Sequence, residues 1–441
     1  MKRLLSLLLC AVLALFCATT AQAAGVSITL TASEYALHYA FDAGAQDPFV
    51  ILEYATPAEK GWMMLYSEDG HFEGDVSLAY SGAGGKTSVA LTSARTTGSI
   101  GKASTTLPKA ADYQKPTGKS NAKVTDFVLT ETPEGFHYAF NAAGTDYMLL
   151  YWRSKEQTVT QPVYPDENGH YEGDAVSELT FARTQFTVQV KSGSGSMKKE
   201  ATVRKGYQAP EAPQRQEGRL SGVTVCIDAG HQENGRFVNE PIGPGLSGST
   251  SGKGGMAQGT KTNRRESIVC LEIGMLLRDE LLRQGANVVM TREDQTTFHT
   301  NIERCEIAEA GGAQIMLRLH CNNSSNRSKR GIQVYGPLNS DYAKAVADAD
   351  TYREMGQKLL DAMKTRVGMT LANSTGMVRL NDNYVGNNWA KMMCFLVEMG
   401  YLSNPAEEYL LVTPVYQQWL AEGMADGVYE IAVARGWVQA Q

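Results

Sequence analysis

The stretch VTVCIDAGH, residues 223–231, decides how the second half of this 441-residue chain folds. Its short apolar, β-branched run is typical of a buried β-strand. The run ends in Asp-Ala-Gly, a turn signal, and glycine lets the backbone turn sharply before the next side chain. We therefore expect His231 at the carboxyl end of a strand, where open α/β sheets place their ligand sites.

Alternating strand and helix patterns continue from this stretch to the end of the chain. Apolar residues at helical spacing begin near Arg265, and further helices are predicted at 302–310, 342–363 and 417–434. Short apolar strands are predicted at 287–290, 313–319, 331–335 and 392–397. Such alternation predicts an α/β domain over residues 221–441, with a twisted, mostly parallel sheet flanked by helices.

Residues of the types that bind metals stand at the ends of these elements. Glu266 opens the first predicted helix, while His320 and Glu398 follow apolar strands. If the strands are parallel neighbours, His231, His320 and Glu398 converge. Two imidazoles, a carboxylate and an open position form a catalytic zinc site, and a second carboxylate can act as general base. Alone, Glu266 could simply favour the positive helix N-terminus. Glu398 follows a buried apolar run, where a charge is costly unless it is paired or metal-bound, and His320 has the same setting.

A set of motifs in this half closely resembles the amidase-3 family of zinc-dependent N-acetylmuramoyl-L-alanine amidases. The motifs are DAGH at 228–231, Glu266, TR at 291–292, 301–304, RLHCN at 318–322 and EMGYLSN at 398–404. The resemblance covers residues 223 to about 434 and implies a twisted mixed sheet flanked by helices. It implies zinc ligands at His231, Glu266 and His320 and a catalytic carboxylate at Glu398. Asn322 and Arg304 are the candidate substrate-binding residues.

The activity implied by the resemblance is peptidoglycan hydrolysis. The bond cut joins the lactyl group of N-acetylmuramic acid to L-alanine of the stem peptide. The resemblance also implies Zn²⁺ as cofactor and a role in wall turnover, autolysis or cell separation. The sequence departs from the family at Ala229, where proline is usual, and in the long Gly/Ser-rich loop between His231 and Glu266. Two alternatives stay open: a catalytically inactive wall-binding protein, and a zinc peptidase that cuts within the stem peptide.

The first half of the chain contains an internal duplication. The segment 37–43 recurs at 136–142 and the segment 70–75 at 169–174, both offset by 99 positions. Alternating runs between Gly, Asp and Asn turns predict antiparallel strands. We therefore predict two β-sandwich repeats at 24–110 and 122–205, followed by a linker at 206–220. Their histidines, interpreted as structural with a metal site as the alternative, are His38, His71, His137 and His170. The repeats are candidate binding modules for other cell-wall polymers.

The N-terminus and the composition bear on where the protein acts. The N-terminus has the pattern of a signal peptide over residues 1–23. A basic start is followed by an apolar run at 4–16 and by an A-x-A-like cleavage site, Ala21-Gln22-Ala23. No later segment approaches the ~20 apolar residues of a spanning helix. The net charge of -6 and pI near 5.8 argue against a nucleic-acid partner. Five of the seven cysteines lie outside the predicted signal peptide. Because their number is odd and they lack CxxC spacing, they are interpreted as buried free thiols. We expect a secreted protein associated with the cell wall.

Overall fold

The computed structural model describes most of the chain. The described residues are 19–22, 25–113, 123–132, 135–143, 147–154, 157–176, 185–191, 197–204, 209–232, 238–250, 255–262, 264–367 and 377–440. Residues 1–18 and 23 of the predicted signal peptide and parts of the long loop between His231 and Glu266 therefore lie outside this description. Two compact units are present, Met1–Ser93 with Thr97–Lys205 and Ala94–Thr96 with Gly206–Gln441. None of the described helices is both long and apolar enough to span a membrane.

The first unit is built from β-strands. Strand β1 Thr19–Gln22 precedes the first repeat, whose strands are β2 Ser27–Ala32, β3 Ala36–Asp42, β4 Phe49–Ala55, β5 Glu59–Tyr66, β6 His71–Ser77, β7 Gly85–Ser93 and β8 Ser99–Leu107. Those in the second repeat are β9 Thr125–Thr132, β10 Gly135–Asn141, β11 Met148–Arg153, β12 Gln157–Val163, β13 His170–Val176, β14 Gln185–Lys191 and β15 Met197–Arg204.

These strands form three antiparallel sheets. Two small sheets have the orders β1-β2-β3-β6 and β13-β10-β9, and the third has the order β15-β14-β11-β12-β5-β4-β7-β8. In the third sheet β12 pairs with β5, which places Thr158 opposite Lys60. Strands of the two sequence repeats therefore belong to one continuous sheet, which is joined by pairing between distant strands.

Each repeat nevertheless has its own apolar core, because alternate residues of its strands point inward. In the first repeat Phe41 stacks on Phe72, with ring centroids 4.9 Å apart. In the second repeat Phe140 stacks on Tyr171 at 4.6 Å. His38 and His137 occupy partly exposed positions that alternate with the buried residues of β3 and β10.

The second unit alternates strands and helices. Its elements are β16 Thr224–Ala229, α1 Glu266–Arg283, β17 Asn287–Met290, α2 Asn301–Ala310, β18 Ile315–Asn322, β19 Gln333–Gly336, α3 Asp341–Val346, α4 Ala349–Val367, β20 Met377–Leu380, α5 Val385–Trp389, β21 Met393–Tyr401, α6 Glu407–Leu410 and α7 Pro414–Ala434. The sheet order is β17-β16-β18-β21-β19-β20. Among the described strands, four neighbouring pairs are parallel and β19 runs antiparallel to β21.

Both faces of this sheet are covered by helices. Helix α1 packs against β16 and β18, α4 packs against β19 and β20, and α7 packs against α1 and α4. On the other face Cys305 of α2 joins a buried cluster with Cys226 and Cys394 of the sheet. The five cysteines outside the predicted signal peptide are all buried free thiols, which confirms that interpretation. Because β16, β18 and β21 are parallel neighbours, their carboxyl ends lie side by side.

One helix prediction was wrong. The apolar spacing predicts a single helix over 342–363, whereas the structure has α3 and α4 with a break between them. Ala347 is extended, with φ -164° and ψ 162°. The Asp348 side chain then accepts a hydrogen bond from the backbone N–H of Thr351 at 2.7 Å. This aspartate starts a new helix in the way that N-cap residues do.

Candidate metal centre

His231 leaves the end of β16 in an unusual backbone conformation. Its φ of +58° lies in the left-handed region, which few residues other than glycine adopt and which clusters at functional sites. The preceding Gly230 donates its N–H to the Leu319 carbonyl at 2.9 Å. A Cβ atom at position 230 would lie 2.4 Å from that oxygen and 2.6 Å from Cε1 of His320. Glycine is therefore required for the two histidines to approach each other.

Glu266 is held by the backbone of two separate segments. It is the first residue of α1 and only 3% exposed. Its Oε2 accepts the N–H of Ala257 at 2.7 Å, and its Oε1 accepts the N–H of Cys321 at 3.1 Å. Its own N–H donates to the Ala257 carbonyl at 2.9 Å. The long loop thus folds back onto α1, and Arg264 turns away from Glu266 to pair with Glu272.

The three predicted ligands meet in one place. Glu266 Oε1 lies 2.9 Å from His320 Nδ1 and 3.1 Å from His231 Nε2. One ligand atom from each residue can be chosen so that all three lie within 4.8 Å of one another. His320 Nε2 is buried and has no hydrogen-bond partner within the described part of the chain. Two imidazoles and one carboxylate are a donor set that suits zinc, so the residues present fit that ion.

The protonation states favoured here are those that a metal ion requires. Burial tends to raise the pKa of Glu266, but hydrogen bonds and charge from His231 and His320 outweigh it and hold this pKa below its usual range. Burial lowers the pKa of His320, opposed in part by Glu266. An ionised carboxylate and a neutral imidazole both present lone pairs to a cation.

Glu398 lies beside this group without belonging to it. In the parallel pair of β18 and β21 it is the register partner of His320. Its Oε2 is buried and lacks a hydrogen-bond partner among the described residues. Burial, and secondarily the charge of Glu266, raises the pKa of Glu398 to about 8. A carboxyl group of this kind, poised near neutral pH, can act as a general base.

Comparison with known proteins finds similarity to amidases over the second half of the chain. Residues 225–430 match a family model described as N-acetylmuramoyl-L-alanine amidase. This part of the chain is therefore similar to N-acetylmuramoyl-L-alanine amidases. The germination-specific N-acetylmuramoyl-L-alanine amidase of Bacillus subtilis is 26% identical over 231 residues, which are 49% of this chain and 83% of that protein. The probable cell wall amidase LytH of Staphylococcus aureus is 27% identical over 218 residues, 48% of this chain and 60% of LytH.

Solved amidase structures also align with this domain. An N-acetylmuramoyl-L-alanine amidase from Clostridium difficile 630 is 25% identical, with a TM-score of 0.37, and the alignment covers 48% of this chain and 96% of that one. The amidase from Mycobacterium smegmatis is 17% identical, with a TM-score of 0.42, 49% coverage of this chain and 100% of that one.

A buried charged network supports the floor of the candidate metal centre. Asp228, fully buried in β16, accepts hydrogen bonds from Arg304, from Arg318 at 2.9 Å and from Thr291 at 2.8 Å. Burial opposes the charge, but the two guanidinium groups hold the pKa of Asp228 far below its usual range. Arg318 also donates to Asn301 Oδ1 at 2.7 Å, which links the floor to the start of α2.

Two arginines hold the carbonyl groups around the strained histidine. Arg292 donates to the carbonyl oxygens of Ala229 at 2.7 Å and Gly230 at 2.9 Å. Arg304 donates to the carbonyls of Ala229 at 2.9 Å and His231 at 3.1 Å. Three consecutive carbonyls are therefore fixed by buried guanidinium groups, which offsets the cost of the positive φ at His231. Arg304 is 3% exposed and faces this loop and Asp228, not the open site. Its position thus favours a positioning role over the predicted substrate contact.

We expect Arg304→Lys to weaken zinc binding while the domain stays folded. Lysine keeps a charge near Asp228 but cannot reach three acceptors at once. Zinc affinity should fall roughly 10- to 100-fold, as it does when an outer hydrogen-bond partner of a ligand is lost. Competition with a chelating dye measures this affinity. Arg353→Lys, at an exposed ion pair with Asp350, is the matched control. Unchanged zinc affinity in Arg304→Lys would show that the arginine does not position His231.

Asn322 contributes to a polar wall next to Glu398. Its Nδ2 donates to Gln333 Oε1 at 3.1 Å, and the Tyr335 hydroxyl donates to the same oxygen at 2.6 Å. Gln333 is the register partner of Glu398 on the neighbouring antiparallel strand. The Tyr335 ring lies 5.0 Å from that of Tyr384. Asn322 thus sits where a substrate group near Glu398 could reach it.

Sequence reasoning did not identify the buried arginine network or this polar wall. A signal for the network exists, because Asp228 and Arg318 stand within apolar strands. A charge in such a strand needs a partner. The pattern does not identify that partner, since Arg304 and Thr291 come from different elements. The tyrosines of the wall carry no local signal of this kind.

Proposed function

We propose that the amidase domain binds one Zn²⁺ ion through His231, Glu266 and His320 and that Glu398 is its catalytic base. The single observation that carries this proposal is the convergence of these three ligand-type side chains beside Glu398, whose buried Oε2 has no hydrogen-bond partner among the described residues. The reaction is hydrolysis of the amide bond between the lactyl group of N-acetylmuramic acid and L-alanine. The family description of the domain and the names of its relatives support this substrate.

The chemistry follows from the positions of these groups. A bound zinc ion would polarise the scissile carbonyl and lower the pKa of a water molecule to about 7. Glu398 accepts a proton from the attacking water as the new C–O bond forms. It then delivers that proton to the departing amine as the C–N bond breaks. The products are a lactyl carboxylate on the glycan and a peptide with a free L-alanine amino group.

Other residues of the site position the substrate and the ligands and take no part in forming or breaking bonds. Asn322 can donate to a peptide carbonyl of the substrate, and Gln333, which accepts a hydrogen bond from the Tyr335 hydroxyl, holds its amide group in place. Arg292 and Arg304 keep His231 in its strained conformation. Burial of Glu266 keeps water from competing for its carboxylate. The two carboxylates therefore have separate roles: Glu266 binds the metal ion, and Glu398 transfers the proton.

We further propose that the protein is exported and works at the cell wall, with two tandem repeats as an accessory wall-binding unit. The signal-peptide pattern and the 99-residue duplication support these points. Peptidoglycan is an extracellular polymer, which agrees with an exported enzyme. The shared sheet of the first unit suggests that the repeats act as one body.

A digest of a defined muropeptide tests the activity. We expect mass spectrometry to find the intact stem peptide with a free L-alanine terminus and the released muramic-acid glycan. A zinc peptidase would instead yield cuts within the peptide, and an inactive wall-binding protein would yield no products. Either result would contradict the proposal, provided that zinc content and folding of the sample are confirmed.

A further inference from the structure

The long loop before α1 ends in a short hairpin with arms at 257–259 and 264–266. The two arms pair antiparallel. At their far end Glu266 donates its N–H to the Ala257 carbonyl at 2.9 Å, and Ala257 donates its own N–H to Glu266 Oε2 at 2.7 Å. The carboxylate of the candidate zinc ligand is therefore held by the first arm of this hairpin.

The turn of the hairpin closes around Glu408, a residue from a distant part of the chain. Its carboxylate is fully buried and accepts the N–H groups of Lys261 at 2.8 Å and Thr262 at 3.1 Å. The hydroxyl groups of Thr260 and Thr262 also donate to it, at 2.9 Å and 3.3 Å. A Cβ atom at Gly259 would lie 2.7 Å from Glu408 Oε2, so glycine gives the turn room to close. Four donors thus offset the cost of burying this carboxylate.

Glu408 is placed by the segment that follows β21. Asn404 Oδ1 accepts the N–H groups of Ala406 at 3.0 Å and Glu407 at 3.1 Å, and the Asn404 carbonyl accepts the N–H of Glu408 at 3.1 Å. Asparagine commonly starts a helical turn in this way. Its Nδ2 donates to the Arg327 carbonyl at 3.0 Å, which fixes the amide group. Local turns therefore set the position of Glu408 independently of the hairpin.

We propose that Glu408 is a positioning residue for the metal centre. By fixing the hairpin turn it holds Ala257 against Glu266 and keeps the Glu266 carboxylate directed at the two histidines. Among the described residues, Glu266 Oε2 accepts a hydrogen bond from Ala257 alone, so loss of the hairpin would free this side of the ligand. Outer hydrogen-bond partners of this kind orient metal ligands and raise metal affinity. This role rests on the proposed zinc site.

Two substitutions of Glu408 separate positioning from charge. Glutamine keeps an oxygen that can accept the N–H groups of Lys261 and Thr262, and its NH₂ group can donate to the Thr260 hydroxyl, which accepts as well as donates. Glu408→Gln should therefore keep the turn and bind zinc like wild type. Alanine offers no acceptor to any of the four donors. Glu408→Ala should lower zinc affinity roughly 10- to 100-fold, as loss of an outer partner does.

Zinc affinity and the state of the turn are measured separately on the full-length protein. Competition with a chelating dye gives the affinity. Limited digestion with trypsin reports the turn, because Lys261 is exposed and its backbone is held by Glu408. Cleavage after Lys261 should be faster in Glu408→Ala and unchanged in Glu408→Gln. Asp382→Ala is the matched control, since Asp382 accepts the N–H of Asn339 at 2.7 Å in another loop. It should change neither quantity.

Equal zinc affinity in wild type and Glu408→Ala would overturn the positioning role, whether or not the turn opens. Equal losses in Glu408→Gln and Glu408→Ala would overturn it as well, because the turn would then not be what matters. A wild-type protein that binds no zinc would contradict the proposed function. The imidazole NMR signals of metal-free His231 and His320 then decide: they should shift in Glu408→Ala only, and unchanged signals would overturn the role of Glu408.

A second variant serves if Glu408→Ala does not fold by circular dichroism. Replacing Thr260 and Thr262 by valine removes two of the four donors and leaves the carboxylate in place. Zinc affinity of this double variant should fall in the same direction but less far. An affinity equal to that of wild type would overturn the proposed role.

Discussion

Glu398→Gln is expected to lower kcat of the amidase roughly 100- to 10,000-fold and to leave zinc bound, because general acid–base catalysis contributes about that much. Glutamine has nearly the same shape as glutamate but cannot accept and pass on a proton. Its side chain stands beside the ligand group and contributes none of the three ligand atoms. Turnover of a defined muropeptide and elemental analysis of zinc on the same sample measure the two quantities.

Glu430→Gln, at an exposed position of α7, is the matched control for this change. It should leave both turnover and zinc content unchanged. Activity of Glu398→Gln within tenfold of wild type would remove Glu398 from the mechanism. Loss of zinc together with activity would show instead that Glu398 helps to hold the ion.

The metal-free wild type and metal-free Glu398→Gln should also differ in how their stability depends on pH. Burial raises the pKa of Glu398 to about 8, above the value near 4.3 that glutamate has in an unfolded chain. Between pH values of about 4.3 and 8 the folded state therefore binds more protons than the unfolded state. Its stability falls as the pH rises through this interval. Melting temperatures of the metal-free wild type should decline over this range more steeply than those of Glu398→Gln. Parallel curves would show that this carboxyl group does not titrate as described.

His231→Ala is expected to remove both zinc and amidase activity. Two remaining ligands bind zinc poorly, so affinity should fall by more than the roughly 10- to 100-fold that loss of an outer hydrogen-bond partner costs. The domain should remain folded, because alanine removes only a side chain that lies at the site. Elemental analysis, thermal unfolding and muropeptide turnover follow the three properties. His299→Ala serves as the control histidine in the same unit.

A zinc-replete, active His231→Ala protein would contradict the ligand assignment. An unfolded His231→Ala protein would leave the ligand question to Glu266 and His320, and His320→Ala then provides the same test. Wild type should hold one zinc ion at this centre and His231→Ala none.

Local sequence determined the strands and helices that position the centre. The apolar runs predict β16 and β17, and helical spacing places the start of α1 at or next to Glu266. Strand periodicity depends on neighbouring residues, because alternate side chains point to opposite faces. The pattern also put His231, His320 and Glu398 at the carboxyl ends of strands, where parallel pairing brings them together. These features could be predicted because each depends on a few consecutive residues.

Only the tertiary structure decided what these residues contact. The fold of the long loop onto α1 turns Glu266 inward through Ala257, and the packing of α2 makes Arg304 a partner of Asp228. The pairing of β12 with β5 joins the repeats, and the register of β3 with β6 brings two histidines to Glu73. Each of these contacts joins residues far apart in the chain. The partner of a buried charge depends on which elements pack together, so the sequence by itself determined the donors, and the tertiary structure decided how they combine.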